Sequence, residues 1–288
     1  MHKFYGEYNI QIPFFTTLAL YLPTEYNFKS YFTSQSLNSI FMKILVCITK
    51  APDTTTKISF TDNDSKLNEA GVQWIINPYE EWYALVRALE LKEAGIATAV
   101  HLISVGKADA EPVIRKALAL GGDEAIRIDA ESSDPFYIAS QIASYASQHA
   151  YDLILTGKES IDYNNSSVGA MLAELLDAPY ITHATKLDIN GHTATVNREI
   201  EGGEEVNSCP LPLVLSCQKG MAEARIPNMR GIMAARTKPL NVIAATETST
   251  FTQIVSYEMP PQKTGVKLFD MDQMDDLVKH LHEEAKVI

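Results

Sequence analysis

Polar side chains crowd the link between a predicted strand and the helix that follows it. The apolar stretch 152–155 is a strand candidate, and apolar residues recur with helical spacing from Val168 onward. Hydroxyl, amide and carboxylate groups fill the link at Ser160, Asp162, Asn164, Asn165, Ser166 and Ser167. Such groups, together with the free backbone N–H groups of a helix start, can bind the phosphate of a nucleotide. Simple capping of the helix by Ser or Asn is the alternative, and this segment alone does not decide between them.

Strand and helix patterns alternate after Met42 and give this link a place in a fold. Strands are predicted at 43–50, 98–105, 124–128 and 152–156, with amphipathic helices between them. The alternation predicts parallel βαβ units, and hence an α/β fold with a Rossmann-like, adenine-nucleotide-binding parallel sheet. Ligands of such sheets bind beyond the carboxyl ends of the strands. We therefore expect the polar link to lie there with the turns after Cys47 and Val105.

Two further segments of this first part are predicted from local signals. Pro78 is expected at the first position of a helix, where its missing N–H costs nothing. Residues 57–60 and 72–76 are expected to pair as a hairpin around Asp62, Asn63 and Asp64. Asn77 precedes Pro78 and could either bind a base or ribose through its amide or cap the helix.

Beyond Asp177 the pattern turns towards β structure. Two strand candidates flank Asn190-Gly191, a strong two-residue hairpin signal, and a buried strand is predicted at 211–216. Residues 218–240 are irregular and basic, and 246–266 is predicted as an extended C-terminal arm. A short amphipathic helix is predicted at the end, from Met274 to Leu281. We divide the chain into an α/β domain at 42–240 and a segment at 241–288 made of the arm and this helix.

The composition excludes several classes of protein. A formal net charge of −12 over 288 residues argues against nucleic acid as a partner, because phosphate backbones need clustered Lys and Arg. Three cysteines without paired spacing, Cys47, Cys209 and Cys217, indicate a reducing compartment without a metal site, and we expect a cytoplasmic protein. Residues 1–41 are predicted to be an extension that is disordered or not native, with a secretory signal as the weaker alternative. Their apolar stretch 14–22 is too short to insert into a membrane.

No motif of an enzyme stands out. The chain has no GxGxxG, no GxxxxGK[ST], no GxSxG and no HExxH. Asp162 could serve as a base, but a single Asp in a polar loop is more often a cap or a turn residue. The residues therefore predict a nucleotide-binding α/β protein with no catalytic residues of its own.

Eight stretches from Lys43 onward resemble the β subunit of electron transfer flavoprotein, in the order and spacing of that family. They are KILVCITKAPD, INPYEEWYALVRALELKEAG, VIRKALALGGDEAIRI, LILTGKESID, VNREIEGGEE, LPLVLSC, IPNMRGIMAARTKPL and PPQKTGVKL. The resemblance implies a heterodimer in which an α subunit holds the redox-active FAD and the β subunit holds AMP structurally. It also implies electron transfer from flavoprotein dehydrogenases, as in fatty acid β-oxidation, with the chemistry supplied by the flavin.

Position by position, the resemblance implies an AMP site at the carboxyl ends of the strands. Cys47 would let the adenosine approach, Val105 would meet the adenine edge through its backbone, and Ser166, Ser167 and the N–H of Val168 would hold the phosphate. An unreactive buried thiol is the other interpretation of Cys47. The matching positions are Cys47, Asn77, Pro78, Tyr79, Glu80, Val105, Gly157, Lys158, Ile161, Asp162, Ser166, Ser167 and Val168.

The same comparison by position implies two contact regions. Tyr79 and the Asp53-Thr54 turn match positions near the flavin of the α subunit, although Tyr79 could instead pack on its own helix. Residues 222–229, which we call the docking segment, match the region that binds partner dehydrogenases. Its expected contact residues are Ala224, Arg225, Ile226 and Met229. The arm and the terminal helix are expected to contact the α subunit.

Two alternatives remain open at this level. Many family members have a run such as Asn-Gln-Thr where this chain has Ser166-Ser167-Val168, so the ligand itself is in question. Some members hold a second FAD here and bifurcate electrons from NADH, and FAD shares its adenylate half with AMP. The other alternative is a stand-alone adenylate-binding regulator that resembles universal stress proteins, which would lack the β-rich tail and the arm.

Overall fold

The computed structural model describes residues 42–262 and 265–288, so the predicted extension at 1–41 lies outside the described residues. The chain divides into two compact units. The larger contains Trp74–Phe251 and the described part of Met1–Ala51, and the smaller contains Pro52–Gln73 and the described part of Thr252–Ile288. Within the described residues, no helix is long and apolar enough to cross a membrane.

A mostly parallel sheet forms the centre of the larger unit and confirms the predicted α/β class. The strands of the described chain are β1 (Met42–Cys47), β2 (Lys50–Pro52), β3 (Phe60–Thr61), β4 (Lys66–Leu67), β5 (Trp74–Ile76), β6 (Ala97–Val105), β7 (Glu124–Asp129), β8 (Leu153–Gly157), β9 (Tyr180–Asn190), β10 (Thr193–Ile200), β11 (Gly203–Pro210), β12 (Leu213–Cys217) and β13 (Leu240–Ala244). Nine of these described strands form the main sheet in the order β11-β10-β9-β12-β8-β1-β6-β7-β13. All neighbours from β9 to β13 in this order run parallel, whereas β10 and β11 extend one edge as an antiparallel meander.

Helices cover both faces of the main sheet. They are α1 (Glu81–Glu93), α2 (Glu111–Leu120), α3 (Pro135–Ala146), α4 (Val168–Leu175) and α5 (Met229–Ala235). Alternate residues of β1 face opposite sides, as the strand pleat requires. Ile44 and Val46 share a buried cluster with α1 and α2, and Leu45 and Cys47 share the other with α3 and α4. The sheet is thus buried on both faces, as in doubly wound proteins.

The polar excursion after β1 pairs differently from the predicted hairpin. β3 pairs with β4 around Asp62, Asn63 and Asp64, whose φ angles of 56°, 57° and 60° turn the chain back within a few residues. β5 instead pairs with β2 in a separate two-stranded sheet. Left-handed φ angles are accessible to Asn and Asp at little cost, which explains why the turn closes at these residues.

Two boundaries also differ from the sequence prediction. α1 begins at Glu81 and not at Pro78, because the Asn77 Oδ1 accepts the Tyr79 N–H at 3.1 Å and forms a turn before the helix. The β9–β10 hairpin pairs Asn190 with Thr193, so its loop is Gly191-His192 and not Asn190-Gly191. Gly191 takes the positive φ of 58° that this loop needs.

The basic stretch 218–240, predicted to be irregular, contains α5 and leads into β13. Asn228 caps α5 by accepting the Gly231 N–H at 2.8 Å. β13 pairs in parallel with β7 and forms one edge of the main sheet. α5 has only seven residues, too few to show a helical period clearly, and β13 is recognisable only by its pairing with β7. Neither element was therefore predicted from the sequence.

The smaller unit contains the β3–β4 hairpin and the C-terminal residues. Phe60 stacks on Tyr257 with ring centroids 4.7 Å apart, and the Tyr257 N–H donates to the Asp64 carbonyl at 2.8 Å. The predicted terminal helix is present as α6 (Met274–Lys279), followed by a π-helical turn at His280–Glu284. None of the residues of α6 is buried. Large apolar side chains of this unit are exposed at Val255, Met259, Val266, Leu268 and Met271.

Candidate functional site

The strand order reverses beside β1, and the predicted site residues lie around this point. The chain places β6 and β7 on one side of β1 and then crosses to β8 on the other. Val46 of β1 is aligned with Leu155 of the parallel strand β8, so the two strands end at the same edge. A crevice opens outside the carboxyl ends of strands where the order reverses. We call the space beyond Cys47 and Gly157 the switch-point crevice.

Asn77 joins the turn before α1 to the link after β8. Its side chain is fully buried, its Nδ2 donates to the Glu159 carbonyl at 2.9 Å, and its Oδ1 accepts the Tyr79 N–H. A buried amide held on both ends fixes the backbone around it. Asn77 therefore orients the two walls of the crevice, and Pro78 and the half-exposed Tyr79 follow it on the same turn.

Two adjacent carboxyl groups begin α1. Glu81 is buried and accepts both the Thr49 N–H at 2.8 Å and the Thr49 Oγ1–H at 2.6 Å. Burial raises the pKa of Glu81 to about 8, against the opposing effect of the bonds from Thr49. Burial also raises the pKa of Glu80, whose Oε2 is buried with no hydrogen-bond partner among the described residues. An orphaned carboxylate oxygen of this kind suits a hydroxyl donor such as a ribose.

Gly157 allows the start of α1 to approach the end of β8. A Cβ at this position would lie 3.1 Å from both the Glu80 Cβ and the Glu81 Cγ. The next residue, Lys158, donates its N–H to the Cys217 carbonyl at 2.9 Å and pairs with Glu159 at 3.2 Å. The absence of a side chain at Gly157 thus decides the width of the crevice.

The polar link is a closed loop and not an open stretch. Ser160 donates its N–H to the Asn165 carbonyl at 2.9 Å, and Asn165 Oδ1 accepts the Ser167 N–H at 2.8 Å. Asn164, with a φ of 50°, provides the reversal between them. Ile161 is half-buried in this loop and Asp162 is exposed, with its Oδ1 accepting the Tyr163 N–H. The loop therefore delivers Ser166 and Ser167 to the start of α4.

α4 begins at Val168, as predicted, directly after the loop that follows β8. Ser167 is the N-cap residue, but its side chain makes no capping bond. The first N–H groups of a helix have no partner within the helix, which leaves those of Val168 and Gly169 for other acceptors. Gly169 has a further role, since a Cβ there would lie 2.8 Å from Tyr180 Oη and 3.0 Å from Thr156 Oγ1.

Cys47 and Val105 are the last residues of β1 and β6, at the carboxyl edge of the sheet. Cys47 is buried, and burial, with a smaller contribution from the Glu81 carboxylate, holds the pKa of its thiol far above the usual range. The thiol is therefore protonated at neutral pH and unreactive, which agrees with the interpretation as a small buried side chain. Val105 is half-buried, and the next N–H, that of Gly106, donates to the Ile128 carbonyl at 3.0 Å.

The docking segment lies outside this crevice, beside α1. Ala224 is exposed, and Ile226 and Met229 expose 91% and 72% of their surface. Arg225 differs from them because its guanidinium is engaged by Glu93 at 2.7 Å. The structure therefore leaves Ala224, Ile226 and Met229 accessible to solvent, whereas the side chain of Arg225 is bound to α1. Met229 is not an ordinary buried methionine.

The polar groups near the ends of β1 and β8 are of two kinds. The first N–H groups of α4 can bind an anion, and the Glu80 Oε2 can accept a hydroxyl group. No group of three or more His, Cys, Asp or Glu in the described part of the chain is arranged to bind a metal ion.

Comparison with known proteins identifies the family. The sequence-family model of the electron transfer flavoprotein domain matches residues 64–248. The β subunit of electron transfer flavoprotein from Bacillus subtilis is 38% identical over 261 residues, 86% of this chain and 100% of that protein. This chain belongs to the electron transfer flavoprotein family. The human β subunit of electron transfer flavoprotein is 32% identical over 85% of this chain and 99% of its own length, and the Syntrophomonas wolfei one is 36% identical over 80% and 90%.

Three residues of this electron transfer flavoprotein chain were not predicted from the sequence. Thr49 and Glu81 bind each other beside the crevice, and Trp82 donates its Nε1–H to the Arg225 carbonyl at 3.0 Å. A Glu at the first helical position was a usable signal for Glu81, but its partner lies 32 residues away. Only the packing of α1 against β1 and the docking segment reveals these contacts.

Proposed function

We propose that this chain is the β subunit of a heterodimeric electron transfer flavoprotein and binds AMP as a structural ligand in the switch-point crevice. The main support is the start of α4, which follows the carboxyl end of β8 beside the reversal in strand order and has first N–H groups with no partner inside the helix. The hydroxyls of Ser166 and Ser167 add donors there, and the Ser167 hydroxyl makes no capping bond.

The remaining crevice residues bind the nucleoside part of AMP in this proposal. The Glu80 Oε2 accepts a ribose hydroxyl, and the backbone around Val105 meets the adenine edge. Asn77, whose amide already binds Glu159 and Tyr79, orients the crevice and does not contact the base with its side chain. The bond between Glu81 and Thr49 holds the end of β1 against α1.

The redox-active FAD is held mainly by the α subunit in this proposal, and it supplies the electron-accepting and electron-donating chemistry. Tyr79, which is half exposed, provides an aromatic surface for the flavin ring. Exposed apolar residues of the C-terminal segment 241–288, such as Val266 and Leu268, give the α subunit a surface to bind.

Flavoprotein dehydrogenases dock at Ile226 and Met229 in this proposal. Large apolar side chains that expose most of their surface often mark protein interfaces, and Met adapts to different partners. Met233 of α5, also exposed, extends the same apolar face. The basic side chains of Arg230 and Arg236 lie near it in sequence, so an acidic partner surface would complement it.

The test is to purify the chain as a complex with its co-expressed α subunit and to quantify the bound nucleotides by extraction and chromatography. We expect one FAD and one AMP per heterodimer. Two FAD and no AMP would overturn the AMP proposal and support electron bifurcation from NADH. A complex without any adenine compound in the β subunit would overturn both. Cell fractionation tests the cytoplasmic location, which stays a prediction.

A further inference from the structure

The docking segment has no helix or strand before Asn228, yet it is fixed to α1 at one residue. Trp82 of α1 donates its Nε1–H to the Arg225 carbonyl at 3.0 Å. The Arg225 guanidinium donates to Glu93 at 2.7 Å and lies 3.6 Å from Glu90. Both the backbone and the side chain of Arg225 are therefore held by one helix.

The partners of Arg225 are themselves held. Glu90 also pairs with Arg87 at 2.9 Å, and the Arg87 Nε donates to the Leu187 carbonyl of β9 at 3.2 Å. The Lys116 ammonium of α2 lies 5.3 Å from the centre of the Trp82 ring. A network that reaches α2 and β9 makes α1 a rigid support for the segment.

We propose that Trp82 and Arg225 are positioning residues for docking, and that Arg225 does not itself bind the partner. They hold the segment in one conformation in which the next side chain, Ile226, projects into solvent with 91% of its surface exposed. Fixing a binding segment before contact reduces the entropy lost on association. Because its charge is already balanced by the Glu93 and Glu90 carboxylates, the guanidinium attracts an acidic partner less than an unpaired arginine would. This inference rests on the proposed docking at Ile226 and Met229.

The first test measures how firmly α1 holds Arg225, without any dehydrogenase present. Trypsin cleaves after Arg225 only if the Arg225 side chain and carbonyl enter its active site, and both are bound to α1 in the native complex. We expect Trp82→Phe, in the complex with the α subunit, to accelerate cleavage after Arg225 about fivefold, the effect of one lost hydrogen bond. Trp74→Phe is the matched control, since Trp74 makes no bond to the segment. Equal cleavage rates in Trp82→Phe, Trp74→Phe and wild type would show that Trp82 does not restrain Arg225 and would overturn the proposal.

The second test measures electron transfer from a substrate-reduced flavoprotein dehydrogenase to the complex. We expect Trp82→Phe and Arg225→Met to raise the KM for the complex about fivefold, with unchanged kcat and flavin content, and Arg225→Lys to restore part of the loss. The dependence of KM on salt should be the same in Arg225→Met as in wild type. A weaker salt dependence would instead identify Arg225 as a direct contact and overturn the proposal.

Ile226→Asp separates this inference from the proposed docking site. If Ile226→Asp leaves KM unchanged, the docking site is wrong. If Ile226→Asp raises KM while Trp82→Phe and Arg225→Met do not, docking occurs at the segment but the positioning role is wrong.

Discussion

Glu81 shows how a single buried residue can make the stability of the protein depend on pH. Its carboxyl is buried and bound to Thr49, two residues after the end of β1. Burial raises its pKa from 4.5 to about 8. Between pH 4.5 and pH 8, the folded protein therefore keeps a proton on Glu81 that the unfolded chain has lost. Stability from this group is complete below pH 4.5 and is lost as the pH rises to about 8.

We therefore predict that Glu81→Gln makes thermal stability less dependent on pH. Gln resembles the protonated carboxyl and can still bond to Thr49, but it does not ionise. Between pH 5 and pH 8 the wild-type complex should lose roughly 5 °C more in unfolding midpoint than the variant. Scanning calorimetry of both complexes across this range measures the difference. Parallel curves for the two proteins would show that Glu81 is ionised in the fold throughout.

Met229 allows a test of the docking surface by one charge. It exposes 72% of its surface, so Met229→Asp should not disturb folding. An unpaired carboxylate in an apolar interface costs binding energy, and we expect electron transfer from the dehydrogenase to slow about tenfold or more. Stopped-flow reduction of the complex measures the rate, with Val206→Asp on β11 as the exposed control. A normal rate, or a loss of flavin from the complex, would refute the role of Met229.

At the level of elements, the start of α4 decides the shape of the proposed phosphate site. Gly169 places α4 against β8 and β9, since a Cβ there would meet Tyr180 Oη at 2.8 Å and Thr156 Oγ1 at 3.0 Å. The 2.8 Å contact is closer than real Cβ atoms approach, so either the Tyr180 side chain or α4 would have to shift. The strand and helix that form the site were both predicted from their patterns, but this close contact was not.

Gly169→Ala should accordingly lower the AMP content of the purified complex. The added methyl pushes the helix start away from the crevice and misaligns the Val168 N–H, which we expect to weaken binding about tenfold. Chromatography of extracted nucleotides and calorimetric titration with AMP measure the effect. Gly203→Ala is the control, because a Cβ there meets nothing within 4 Å. Unaltered AMP binding in Gly169→Ala would place the phosphate elsewhere.

Two short elements, α5 and β13, were not predicted from the sequence. The helices α1 to α4 follow from apolar spacing over eight or more residues, whereas α5 is one residue shorter and has a mixed composition. β13 has five residues and is defined by its pairing with β7, more than a hundred residues earlier in the chain. A local pattern contains no information about such a partner, so the end of the sheet could not be predicted.

At the level of the whole molecule, the exposed apolar residues of the C-terminal segment 241–288 are the surface we assign to the α subunit. Val266 and Leu268 expose 82% and 85% of their surface. Such exposure is unfavourable unless a partner covers it. The predicted C-terminal helix α6 likewise has no buried residue of its own.

Replacement of Val266 and Leu268 by Asp should weaken assembly with the α subunit. Two charges on an interface core cost several kcal/mol, and we expect the dissociation constant of the heterodimer to rise about a hundredfold. Analytical ultracentrifugation of the complex measures this, with Ile200→Asp as the control on β10. An equally stable heterodimer would show that these residues do not contact the α subunit.

The sequence by itself determined the α/β class, the positions of the main parallel strands along the chain and the polar link at the carboxyl end of β8. These depend on local periodicity and on rules of chain connection, which a sequence contains. The tertiary structure alone decided that Glu81 binds Thr49, that Gly157 and Gly169 set the width of the crevice, and that Arg225 is tied to α1. Each of these depends on distances between residues far apart in the chain, because packing in three dimensions brings them together and no local pattern encodes it.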